Sequence, residues 1–171
     1  MAGRLTLRDA TIDDAALLRT WDDKPHLEGT GDDDWQWQTE LLRKPPWRQS
    51  LISEVNGKPI GFIQIIDPAL EDSHYWGKVE NNLRAIDIWI GEESFLGKGY
   101  GTEMMQRALD RCFAEPLVQA VLVDPLASNL PAHRFYEKQG FRIVERRFFG
   151  KDDCLVFRIS RHQWQNPLIN A

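Results

Sequence analysis

The sequence predicts an α/β (α+β) domain, and three observations carry that prediction. The elements come in the order strand, two helices, three strands, helix, strand, helix, two strands. Two of the strand pairs are joined by hairpin turns. Residues 85 to 102 form a buried strand, a glycine-rich turn and the start of a helix in one unbroken stretch.

Taken in order, residues 4 to 9 alternate as a half-buried strand does, and Thr11 precedes a helical pattern carrying Ala15, Leu17, Leu18 and Trp21. Asp22 to Asp34 is acidic and contains glycine. Trp35, Leu41 and Leu42 fit a short second helix that must stop before Pro45-Pro46. Trp35 and Trp37 suit either core packing or a substrate-facing wall. Leu51–Val55 and Ile60–Ile66 flank Asn56-Gly57, a strong hairpin signal.

Residues 67 to 80 are a polar connection to a strand at 84 to 91. Between 67 and 93, seven acids face two bases, Lys78 and Arg84, an excess of five negative charges. A helix from about 100 to 113 repeats Met104, Met105, Ala108, Leu109, Cys112 and Phe113 at three- and four-residue spacing, which makes Cys112 a core residue rather than a nucleophile. Ala120–Val123 is a short buried strand ending in Asp124-Pro125. Ser128 can then cap a helix carrying Leu130, Ala132, Phe135 and Tyr136, closed by Gly140. Phe141–Phe149 and Cys154–Ile159 make a last hairpin around residues 150 to 153.

The length of 171 residues, 42% of them hydrophobic and 27% charged, suits a single domain spanning 1–171 with one substantial core. No basic leader with an apolar run and no stretch of about 18 apolar residues occurs, so a cytoplasmic protein without membrane contact is expected. Two cysteines and four scattered histidines imply no metal. A net charge of −5 argues against nucleic acid and for a cationic small partner.

The glycine turn has the chemistry of an anion site. Gly97, Gly99 and Gly101 keep side chains away from the backbone and permit conformations in which successive N–H groups converge, while the following helix adds the positive end of its dipole. Pyrophosphate is the natural guest. A nucleotide-triphosphate loop is excluded because Lys98 is followed by Gly99, and a dinucleotide fingerprint because the spacing is G-x-G-x-G. A merely tight loop is the structural alternative.

The strand, then Leu-Gly-Lys-Gly-Tyr-Gly-Thr and a helix, then Asp-Pro-Leu-Ala-Ser-Asn-Leu-Pro-Ala-His-Arg-Phe-Tyr-Glu-Lys-Gln-Gly-Phe, resemble the GNAT superfamily of acetyl-CoA-dependent N-acetyltransferases. Ala85-Ile86-Asp87 before the loop, Asp124-Pro125 with Ser128-Asn129, and the Trp21–His26 segment are most similar to aminoglycoside 6'-N-acetyltransferases. Leu96 stands where the superfamily usually has Arg or Gln, and Gly29-Thr30 where the aminoglycoside enzymes have a tryptophan pair.

The resemblance implies a GNAT fold: a mixed, mostly antiparallel central sheet flanked by helices and splayed at the acetyl-CoA site. It implies acetyl-CoA as co-substrate, held at its pyrophosphate by the N–H groups of Gly97, Lys98, Gly99, Tyr100, Gly101 and Thr102. Trp89 and Ile90 would run beside the pantetheine arm, and Asn129 would meet that arm from the helix side.

Two protons need owners when an amine attacks a thioester. A tyrosine, with an ordinary pKa near 10, is protonated at neutral pH, and a thiolate leaving group with a thiol pKa near 8.5 is a good acceptor, so Tyr136 suits the general acid. The resemblance places the acid at this tyrosine; a tyrosine packed beside Phe135 is the structural alternative. Asp87, inside an apolar strand, suits an acceptor-binding group that takes the amine's proton directly or through water, or else a structural carboxylate paired with Arg84 or a backbone N–H. Asp72 and Asp124 match acidic acceptor-binding positions of the aminoglycoside enzymes; they would otherwise be a solvated loop acid and a strand-end turn residue.

The acceptor implied is a cationic small-molecule amine, with an aminoglycoside 6'-amine first. A protein N-terminus, a polyamine or a siderophore-precursor lysine, or a non-catalytic acetyl-CoA-binding module, are the other readings. Monomer and homodimer are both open.

Overall fold

The computed structural model describes residues 3–27 and 35–167. Its strands are β1 (Leu5–Asp9), β2 (Arg48–Val55), β3 (Lys58–Ile66), β4 (Leu83–Ile90), β5 (Ala120–Val123), β6 (Arg142–Phe149) and β7 (Asp152–Ser160). Its α-helices are α1 (Ala15–Asp22), α2 (Trp37–Arg43), α3 (Tyr100–Ala114), α4 (Leu130–Lys138) and α5 (Arg161–Gln165). The strands form one sheet in the order β1-β2-β3-β4-β5-β7-β6. This is the mixed, mostly antiparallel sheet that the resemblance implied.

By internal contacts the chain forms two compact units, residues 1–64 with 87–104 and residues 65–86 with 105–171, and the division falls inside β3, β4 and α3. In the first unit, β1 pairs antiparallel with β2 from Leu5↔Val55 to Asp9↔Leu51. The Asn56-Gly57 turn has both residues at positive φ, 52° and 82°, as a two-residue hairpin whose twist matches its strands requires. Leu18, Trp21, Trp37, Leu41, Ile52 and Phe62 pack together as the core of this unit.

Trp37 is 5% exposed, donates its indole N–H to Asp22 at 2.6 Å and meets Phe62 edge-on. It is core. Trp35 is half-buried, packed against the same cluster beside Trp37. The helix expected from Trp35 therefore starts at Trp37. Gly29-Thr30 lies outside the described residues.

In the second unit, β4 runs parallel to β5 over Leu83–Ala85 against Ala120–Leu122, and that ladder goes no further. β5 then pairs antiparallel with β7, and β7 with β6. The last turn is tighter than the sequence suggested. Asp152 already faces Phe149 across the ladder, which leaves Gly150 and Lys151 as the turn.

Two further details differ from the expectations. The cap of α4 is Asn129, not Ser128, with the Asn129 side-chain oxygen accepting the Ala132 N–H at 3.3 Å. After β7 the chain turns into α5, closed at its start by a reciprocal pair in which the Ser160 N–H reaches Gln163 and the Gln163 N–H reaches Ser160, at 2.9 and 3.0 Å.

Candidate active site

The site residues of the first unit lie along one continuous path of β4, turn and α3. The end of β4 is clamped by β3, by α1 and by the segment after α1. Gly91 donates its N–H to the Ile60 carbonyl at 2.8 Å, the Trp21 indole donates to Glu92 at 3.0 Å, and the His26 ring bonds the Ile90 carbonyl at 2.9 Å. A Cβ at position 91 would lie 2.0 Å from the Trp21 ring, so only glycine lets the indole seat against the strand end. Of the Trp89–Ile90 backbone expected beside the pantetheine arm, the Ile90 carbonyl is thus engaged by His26.

The turn that follows is shaped for an anion. Gly97 and Gly99 have φ of 70° and 86°, in the left-handed region that other residues enter at a cost, and a Cβ on either would meet nothing within 4 Å. Protein packing does not demand glycine there. The backbone path does, and open space lies above it. The Glu103 N–H bonds the Gly99 carbonyl at 3.2 Å where α3 begins, so the turn meets the helix at the positive end of its dipole. The residues present therefore fit the phosphates of a bound acetyl-CoA. Lys98 folds its ammonium to 5.9 Å from the Phe95 ring centroid.

Asp87 lies on β4, four residues before Gly91. Its side chain is reached by solvent, yet loss of hydration to the protein around it pushes its carboxyl up to about 6. Exposure and desolvation together describe a carboxylate that water can touch but not fully surround, so the upward direction stands while solvent limits its size. The pairing with Arg84 weighed from the sequence is not the one adopted. Arg84 instead meets Asp67 at 3.2 Å.

In the second unit the candidates follow β5 and α4. Tyr136 is 8% exposed, its ring in edge and tilted contact with Phe135, Phe141 and Phe157. The packing and the catalytic readings are compatible here, because an aromatic socket fixes the orientation of the phenol ring. Asn129, placed beside the cofactor arm by resemblance, has its carbonyl oxygen committed to capping α4. Asp124 accepts the Tyr75 hydroxyl at 2.6 Å. Asp72 is exposed on the connection that carries Tyr75.

The acidic connection is partly structural. Asp67 pairs with Arg84, Glu80 with Arg158 at 3.4 Å, and Glu71 is buried against backbone N–H groups. Cys112 is buried and desolvation pushes its thiol up to about 12, which leaves no thiolate at neutral pH. It is the core residue that its helical spacing predicted. Neither Gly91 nor Tyr75 stood out in the sequence: a lone glycine and a lone tyrosine in an irregular segment carry no periodic signal.

A mixed sheet whose β4·β5 ladder stops short, followed by a glycine turn that feeds a helix start, is the frame of a GNAT acetyltransferase. A family model described as the acetyltransferase (GNAT) domain matches residues 11–148, and the chain belongs to that family. It is an acetyl-CoA-dependent N-acetyltransferase.

Among its relatives is the aminoglycoside N(6')-acetyltransferase type 1 of Klebsiella pneumoniae, 34% identical over 148 residues, 80% of this chain and 73% of the relative. Another is the lysine N-acyltransferase MbtK of Mycobacterium tuberculosis, 26% identical over 172 residues, 96% of this chain and 79% of the relative. The crystal structure of aminoglycoside acetyltransferase AAC(6')-Ib with coenzyme A and kanamycin superposes with a TM-score of 0.81 at 26% identity, covering 95% of this chain and 98% of that one. Among the described residues, no helix is long and apolar enough to cross a membrane.

Proposed function

We propose that the protein acetylates a primary amine of a cationic small molecule, an aminoglycoside 6'-amine first among them. The observation that carries this reading is Asp87: a solvent-reached carboxylate on the strand that leads into the glycine turn, its pKa raised by lost hydration. A base with a pKa close to the working pH is ionised in the cell and still takes a proton readily. The kinship with an enzyme named for aminoglycoside 6'-acetylation supports the choice of acceptor. Kinship with a lysine N-acyltransferase keeps other amines as the second reading.

Acetyl-CoA, when bound, supplies a thioester acetyl group and a thiolate as leaving group. The chain's own residues do the rest. The Gly97–Thr102 backbone binds the pyrophosphate, and Trp89, Ile90 and Asn129 line the pantetheine arm. Asp87, with Asp72 and Asp124, attracts the ammonium, and Asp87 takes the proton that the amine must lose, directly or through water. Tyr136 gives its phenolic proton to the departing sulfur.

The test is release of free thiol from acetyl-CoA in the presence of kanamycin, spermidine or lysine. Kanamycin is expected to turn over with the highest kcat/KM, and turnover of lysine or spermidine alone would replace the acceptor. Tyr136→Phe keeps the aromatic socket and removes the hydroxyl, so kcat should drop by about 10² to 10⁴. A wild-type kcat in that variant would leave Tyr136 as packing alone.

A further inference from the structure

The connection between β3 and β4 carries a residue that the reaction scheme above does not use. Tyr75 is 46% exposed, yet it is fastened at its backbone, its ring and its hydroxyl. The buried Glu71 carboxylate accepts the N–H of Ser73 at 2.8 Å and of Tyr75 at 2.9 Å. Burial alone would raise the Glu71 carboxyl. These hydrogen bonds outweigh it and hold the group below the usual carboxylate range, so the bracket is a charged one.

The Tyr75 ring stacks on Phe149, centroids 4.6 Å apart and planes 6° from parallel. Phe149 is pinned in turn. The Arg147 guanidinium lies 4.6 Å from its centroid and donates to the Trp76 carbonyl at 3.0 Å, which ties the loop to β6. From this base the phenol donates to Asp124 Oδ2 at 2.6 Å.

We propose that Tyr75 is the positioning residue for Asp124, and through it a determinant of specificity for cationic acceptors; this rests on the reading that Asp124 binds the acceptor. The choice of donor matters. An arginine or lysine at position 75 would orient the carboxylate equally well but would cancel the charge that an ammonium needs. A phenol, with an ordinary pKa near 10, stays protonated at neutral pH, donates its hydrogen and adds no positive charge. Asp124 then meets an incoming ammonium already in place, so less ordering accompanies binding.

Tyr75→Phe keeps the stack on Phe149 and deletes only the hydroxyl, and kanamycin is the probe acceptor. The KM for kanamycin should rise about 10- to 100-fold, as for loss of one hydrogen bond to a charged group, with kcat, the KM for acetyl-CoA and the Tm close to wild type. In an Asp124→Asn background, Tyr75→Phe should add nothing, because the group it positions is gone.

The outcomes separate the two claims. If Asp124→Asn raises the kanamycin KM and Tyr75→Phe does not, or if the two effects multiply, the positioning role is wrong while the acceptor role of Asp124 stands. If Asp124→Asn leaves the kanamycin KM unchanged, or the wild type releases no thiol with kanamycin, the underlying reading fails and this inference with it.

Discussion

A single carboxylate sets the pH behaviour to be expected. Lost hydration raises the Asp87 carboxyl in the folded chain above its ordinary 3.8, toward about 6, and its exposure to solvent limits the size of that shift. The folded state therefore holds this proton more tightly than the unfolded state does. Ionisation of Asp87 thus weakens the fold progressively from about pH 4 to about pH 6, and the whole cost is present above that window.

Two results follow at the same residue. If Asp87 is the base, as proposed, the kcat/KM for the acceptor should fall as the pH drops toward and through about 6, where its carboxylate becomes protonated. Asp87→Asn should lose that activity and yet melt at a higher temperature than wild type at pH 7.5, with the gain vanishing at pH 4. An equal Tm difference at both pH values would mean that the carboxyl is fully hydrated. The sequence singles out Asp87, since a charged residue amid Ala85, Ile86, Ile88 and Trp89 needs a partner or a task. The pairing with Arg84 does not form: three residues along a strand places the two side chains on opposite faces, and the Arg84 guanidinium turns to Asp67.

Among the elements, the glycine turn gives the sharpest separation of folding from binding. Position 99 has φ of 86° and empty space where a Cβ would stand, so Gly99→Val forces the backbone out of its path without a clash in the core. The expected outcome is a folded protein whose acetyl-CoA Kd is raised about tenfold or more, the loss of one charge-assisted hydrogen bond from a misdirected N–H. Isothermal titration with acetyl-CoA measures it, and an unchanged Kd would remove the pyrophosphate reading.

Elements with strong periodicity or an explicit turn signal were legible: β5 matches residue for residue, and the Asn56-Gly57 hairpin falls where its dipeptide put it. The ends decided by side-chain chemistry at close range were not. Asn129 displaces Ser128 as the cap because its carbonyl, not the neighbouring hydroxyl, reaches the Ala132 N–H. α5 is five residues long, too short for a period, and a capping pair between Ser160 and Gln163 marks its start.

Across the whole molecule, charge should act with opposite sign on acetyl-CoA and on the polycationic acceptor proposed above. The chain carries a formal net charge of −5, and of the seven acids between 67 and 93, Asp67 and Glu80 are paired with arginines while Glu71 and Glu92 are bonded within the fold. The long-range attraction for a polycation is therefore weaker than the bare count of acids suggested, and it rests on the net charge together with the local carboxylates of the site. Such attraction is screened over about 10 Å at 0.1 M salt and about 3 Å at 1 M. The KM for kanamycin, with several ammonium groups, should therefore climb as sodium chloride is raised from low salt toward 1 M, by about 3-fold or more if two such charges are felt at close range. Acetyl-CoA is an anion approaching a negative protein, so the same salt relieves repulsion and its KM should stay level or fall. Opposite slopes for the two substrates in one titration exclude a general effect of salt on the fold. Parallel slopes, or a kanamycin KM flat in salt, would show that the acceptor is recognised at short range alone, and a singly charged amine would then be the better candidate.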